Sequence, residues 1–134
     1  MPAWLIALYL LHIGAGLYWL GSSFFIAQAK GKGAESQFHW QMAAATLVVA
    51  VGVVLWSELH PLGVGKMETV LGVGAGLAVA AAGIEGAWVG GSLRRRRRGT
   101  MTEAAARARI TLGYRIGAIL LALALFAMVG SYHI

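Results

Sequence analysis

Three side chains that can transfer protons or bind other groups lie within long uncharged stretches of the sequence: His12, Glu85 and Arg115. An imidazole can ligate a metal or exchange a proton near neutral pH. A carboxyl group and a guanidinium can pair with each other, or they can bind a proton or a substrate. Ionisable residues are rare in apolar segments, so each of the three is a candidate functional residue.

The stretches around these residues are long enough to cross a membrane, which takes about 20 mostly apolar residues in a helix. Hydrophobic residues make up 59% of the 134-residue chain and charged residues only 12%, whereas a soluble domain carries about a quarter. A transmembrane β-barrel would show alternating segments of about 10 residues, which are absent. We therefore predict one all-α integral membrane domain, a four-helix bundle over 1–134, with helices at about 3–28, 40–57, 67–92 and 110–132.

The basic residues predict the orientation of the bundle. Nine of the eleven Lys and Arg residues lie in the first and third connections, and the second connection contains only Lys66. By the positive-inside rule, both termini then face outward, to the periplasmic side of a bacterial-type cytoplasmic (inner) membrane. The run in the third connection would attract anionic lipid headgroups rather than nucleic acid; it comprises Arg94, Arg95, Arg96, Arg97 and Arg98.

His12 lies about 13 Å into the first predicted helix at 1.5 Å per residue. Gly16 and Trp19 follow on the same helix face and would leave space beside the imidazole and a flat apolar wall, as a porphyrin requires. In the alternative interpretation, His12 bonds a neighbouring helix and Gly16 allows that helix to come close. The chain has no cysteine, which excludes covalent c-type haem and iron–sulfur clusters.

Glu85 and Arg115 lie at similar predicted depths in the third and fourth helices. These helices are antiparallel neighbours in sequence, and an unpaired charge in the membrane costs several kcal/mol, so we predict a buried ion pair between them. An ion pair that fixes helix register is favoured over a proton or substrate role. Alternatively, Arg115 extends toward the headgroups.

The third predicted helix carries a ridge of small residues at helical spacing, which comprises Gly72, Gly76, Ala80, Gly83, Ala87 and Gly90. Small residues let helices approach closely in a membrane. This ridge predicts either a central position for the helix or a contact surface for a second copy or another subunit. In the second case, a homo-oligomer or a larger membrane complex is expected.

The segment Leu11–Phe25 reads LHIGAGLYWLGSSFF. It resembles the first helix of the membrane-bound, cytochrome c-linked urate oxidases, and Phe38-His39-Trp40 resembles a His-Trp element of that family. More loosely, His12 followed by Trp19-x-Gly21 is similar to the copper-resistance D type and to the HemJ-type protoporphyrinogen oxidases. The resemblance implies haem b linked to His12, with Lys66 and Arg115 in matching places.

Three functions remain open from the sequence. The first is a redox-linked membrane protein that binds haem b, with His12 as axial ligand and His12, Gly16, Trp19 and Lys66 around the cofactor. The second is a non-enzymatic accessory subunit of a larger membrane complex that packs through the glycine-rich third helix. The third is metal or solute transport of the copper-resistance type. Whether the chain is an enzyme stays open.

Overall fold

The computed structural model describes all 134 residues, and it is all-helical, as predicted. Four helical rods are long and apolar enough to cross a membrane, which confirms the predicted number of spans. The third rod is continuous over Lys66–Arg97 but changes from α- to π-helix and back. The elements are α1 (Ala3–Gln28), α2 (Ala34–Leu59), α3 (Lys66–Gly83), a π-helical segment (Ile84–Val89), α4 (Gly90–Arg97) and α5 (Glu103–Ser131).

The arginine run extends the third rod instead of forming a loop, because α4 ends only at Arg97. Arginine is a good helix former, and positive charge at a helix C-terminus interacts favourably with the helix dipole. The connection to α5 is correspondingly short. Thr102 caps α5, since its hydroxyl accepts a hydrogen bond from the Ala105 N–H at 3.1 Å.

Helix α1 lies between α2 and α5, and α5 packs along the third rod, while α2 and α3 touch little. The two basic connections lie at the same end of the bundle, where the Arg96 guanidinium donates to Glu35 at 2.8 Å. Near the other end, the Tyr9 hydroxyl donates to the Tyr132 hydroxyl at 3.3 Å. The alternation of the four rods along the chain thus places both termini at the end opposite the arginines.

The apolar core is extensive at the centre of the bundle and at the arginine end, and small near the termini. Trp19 and Leu121 belong to the central cluster, and Ile110 and Tyr114 to the cluster at the arginine end. Near the termini only Leu5, Val51 and Leu55 form a buried cluster. The helices are therefore most tightly fixed around the π-helical segment.

Helix α5 holds the π-helical segment by close backbone approach and by polar contacts. A Cβ atom at Gly113 would lie 2.6 Å from Val89 Cγ2, so only glycine fits there. The Trp88 indole N–H donates to the Arg109 carbonyl at 2.8 Å, and the Arg109 guanidinium lies 3.8 Å from the centre of the Trp88 ring. Such π-helical turns are rare and occur frequently at functional sites.

Candidate functional site

The π-helical segment places the Glu85 side chain in the interior of the bundle, where it is completely buried. The carboxyl oxygens accept two hydrogen bonds from α1, one from the Trp19 indole N–H at 2.9 Å and one from the Ser23 hydroxyl at 2.9 Å. Trp19 and Ser23 are buried as well. They lie four residues apart on α1, so one face of that helix presents both donors.

A second pair of hydrogen bonds extends the polar cluster to α2 and α5. The Gln41 amide donates to the Ser22 hydroxyl at 2.9 Å, and the Tyr114 hydroxyl donates to the Gln41 amide oxygen at 2.5 Å. Gln41 and Tyr114 are both fully buried. All four rods therefore contribute to the polar cluster, which consists of Trp19, Ser22, Ser23, Gln41, Glu85 and Tyr114.

Gly117 makes room for the carboxyl group on the α5 side. A Cβ atom at this position would collide with Glu85 Oε2 and would lie 3.0 Å from Cδ. The α5 backbone consequently closes the site next to Glu85. No side-chain nitrogen or oxygen atom buried in the chain lacks a hydrogen-bond partner, so the network is internally satisfied.

The predicted ion pair between Glu85 and Arg115 does not form. Arg115 is exposed on the outer face of α5 and has no ion pair, whereas Glu85 bonds only Trp19 and Ser23. The reason is rotational, since each residue turns a helix by about 100°. Gly113 and Gly117 face the third rod, and Arg115, two residues from each of them, is directed away from it.

His12 is partly buried on α1 and faces α2. Its Nδ1 lies 3.0 Å from the Val48 carbonyl oxygen, and because a carbonyl only accepts, Nδ1 carries the proton of this bond. A Cβ atom at Gly52 would lie 3.1 Å from His12 Cε1, so Gly52 lets the ring lie against α2. This is the contact with a neighbouring helix that the sequence offered as an alternative, but with Gly52 beside the ring in the place expected for Gly16.

The other residues expected around a cofactor are not gathered at His12. The Trp19 ring is part of the central core, where its N–H bonds Glu85. A Cβ atom at Gly16 would touch Val48 Cγ2 at 3.9 Å, so no porphyrin-sized space separates α1 from α2 there. Lys66 is exposed at the start of α3, where it lines a surface groove with Thr69 and Ile134.

Sequence reasoning missed Ser22, Gln41 and Tyr114 as members of the site. Their uncharged polar groups do not interrupt an apolar stretch as conspicuously as a charge does. The sequence nevertheless contains a pattern that indicates these residues. Ser22 and Ser23 are adjacent in α1, and Tyr114 precedes Gly117 by one helical turn. A buried polar side chain must find a partner in the bundle.

No group of three or more His, Asp or Glu side chains could hold a metal ion by itself. The arrangement most similar to a metal site lies at the end of the bundle near the termini, where His60 Nδ1 lies 2.9 Å from Glu68 Oε1. The interior thus offers a carboxyl group bonded by neutral donors, and α1 offers the partly buried His12, whose Nε2 makes no hydrogen bond within the chain. Comparisons with protein-family models, curated proteins and solved structures found no match.

Proposed function

We propose that this membrane protein is a small subunit of a membrane complex that binds haem b at His12 and takes part in electron transfer. The observation that carries the proposal is the state of the His12 ring. Nδ1–H donates to the Val48 carbonyl, and Nε2 has no hydrogen-bond partner in the chain. No buried side-chain nitrogen in the chain lacks a hydrogen-bond partner. Since Nε2 has none, it is accessible from outside the chain.

This arrangement suits a haem ligand for two reasons. A ligating histidine usually donates its other ring N–H to a carbonyl or carboxylate, which fixes the ring orientation and raises the basicity of the ligating nitrogen. In addition, a polar atom without a partner at membrane depth is costly. An external group that binds Nε2 removes this cost. When bound, haem supplies one-electron chemistry, while His12 and its contacts with Val48 and Gly52 supply ligation and orientation.

The cofactor would lie at the surface of the bundle, between this chain and a second one. The interior next to Trp19 is filled by the central core, so a porphyrin does not fit inside a single chain. Any further residue that holds the haem would come from the neighbouring chain. The proposal therefore includes a homo-oligomer or a larger complex.

The visible spectrum of the purified protein tests this proposal. The chain is expressed with ample haem and purified in mild detergent, and we expect a Soret band in the wild type. His12→Ala should abolish the band. His60→Ala is the matched control and should leave it unchanged, because the His60 ring is bonded to Glu68. A colourless wild type, or a Soret band that survives in His12→Ala, would contradict haem ligation by His12.

A second candidate is a non-enzymatic accessory subunit that packs through α3, and the exposed part of the small ridge favours it. Gly90, predicted to belong to this ridge, is instead buried against Phe38. Cβ atoms at Gly72, Gly76 and Gly83 would meet nothing within 4 Å, whereas Gly74, Ala78 and Ala81 on the other side are buried. Another helix can therefore approach the backbone of α3 closely along this ridge. This function requires no cofactor.

The arginine cluster gives the proposed complex a lipid contact. Arg96 and Arg97 are paired with Glu35, at 2.8 and 3.6 Å. Arg94, Arg95 and Arg98 are exposed and have no ion pair. We assign the binding of anionic headgroups mainly to these three, and the two paired arginines contribute to the local positive potential.

A further inference from the structure

We infer that Glu85 is a proton-binding site within the membrane, which takes up and releases H⁺ without leaving the polar cluster. This inference is independent of haem binding at His12, and it uses a group that electron transfer at the surface does not require. The step is a simple acid–base equilibrium, in which the carboxylate gains one proton from water and returns it to water.

Glu85 has no counter-charge. The two groups that bond its oxygens, the Trp19 indole and the Ser23 hydroxyl, are neutral. The side chain is completely enclosed, and on the α5 side it lies against Gly117. A carboxylate that is removed from water without a cation is strongly disfavoured, so this environment favours the form that carries a proton.

The same environment also supports the carboxylate. Both donors are aimed at the carboxyl oxygens at 2.9 Å, and hydrogen bonds to an ionised oxygen are stronger than those to a neutral one. The Trp19 N–H can only donate, whereas the Ser23 hydroxyl can also accept the proton of the acid. Both states of Glu85 can thus be bonded by the same two partners after rotation of one hydroxyl.

No other titratable group around the cluster would take up the proton in place of Glu85. On α5, the Tyr114 hydroxyl donates a hydrogen bond to Gln41, and Arg115 faces outward. On α1, His12 lies two turns from Trp19 and bonds Val48. Arg109 bonds Ser92 at the arginine end and stacks on Trp88. Helix α2 contributes only the neutral Gln41.

Infrared spectroscopy of the full chain in lipid nanodiscs tests the inference directly. A protonated carboxylic acid has a C=O stretching band that is separate from the carboxylate bands. We expect such a band in the wild type at neutral pH, its loss as the pH is raised, and its absence in Glu85→Gln. Glu103→Gln is the control and should retain the band, because Glu103 is exposed and lies beside Arg96.

Thermal unfolding gives a second measurement, and it does not depend on assigning a band. Glutamine has the shape of glutamic acid and keeps an acceptor for Trp19, so Glu85→Gln should fold. Raising the pH should lower the Tm of the wild type and of Glu103→Gln more than that of Glu85→Gln, because only Glu85 then becomes a buried charge. A wild type without the band at neutral pH, or with the same pH dependence of Tm as Glu85→Gln, would overturn the inference.

Discussion

Glu85 and Arg115 are both ionisable residues within apolar stretches, yet Glu85 is buried and Arg115 is exposed. The arginine side chain is long, and it can lie on the surface of α5 with its guanidinium directed toward the headgroups. The carboxyl group of a glutamate is held on a short stem and has to be bonded where it lies. Trp19 and Ser23 supply those bonds, and Gly117 supplies the space.

Gly117→Ala should therefore destabilise the protein by about 1–3 kcal/mol, the usual cost of overpacking a tight core. The added methyl group would displace the Glu85 carboxyl, because the neighbouring α5 backbone cannot yield. Unfolding of the purified protein in detergent measures the effect. Gly130→Ala is the matched control on the same helix, since a Cβ atom there meets nothing within 4 Å. Equal stability of the two variants would show that the contact between α5 and Glu85 is loose.

At the scale of the helices, small residues identify the contacts. On α5, the buried Gly113, Gly117 and Ala118 lie on the face that meets other helices, as expected where close approach drives association. The third rod has small residues on two sides, and only the side with Gly74 and Ala78 is covered. The exposed side, with Gly76 at its centre, is the surface for which the second candidate function requires a partner.

Gly76→Leu should remove that partner without unfolding the chain. The leucine side chain meets open space in a single chain, but it would hold a second helix away from the ridge. Copurification and mass measurement in mild detergent should show the wild type in a complex and Gly76→Leu as a single chain. Gly14→Leu, at an exposed glycine of α1 with similar free space, should retain the complex. A complex that both variants keep would contradict packing through the ridge.

The features of the whole molecule that depend on the length and polarity of its segments could be predicted from the sequence. The sequence predicted four spans and placed Glu85 within the third, because long apolar runs are a local property of the chain. It did not predict which side chain Glu85 contacts. Depth follows from counting residues, but direction depends on helix rotation and on the change to π-helix at Ile84–Val89. For the same reason, the sequence predicted Gly16 beside His12, where the structure has Gly52.

The orientation in the membrane remains a prediction, and single cysteines can measure it because the chain has none of its own. Thr100 lies in the exposed connection beside the arginines, and His133 is exposed at the other end. The positive-inside rule places Thr100 in the cytoplasm. An impermeant thiol reagent added to intact cells should therefore label His133→Cys and not Thr100→Cys. Both variants should react after the membrane is opened, which controls for accessibility.

Two further positions make the orientation test independent of the chain ends. Leu62, in the connection between α2 and α3, is 85% exposed, and a cysteine there should react in intact cells like one at His133. Lys32, in the connection between α1 and α2, is also exposed, and a cysteine there should be protected like one at Thr100. Labelling of the pair at 32 and 100, with protection of the pair at 62 and 133, would reverse the topology. It would also place the free arginines Arg94, Arg95 and Arg98 against the outer headgroups.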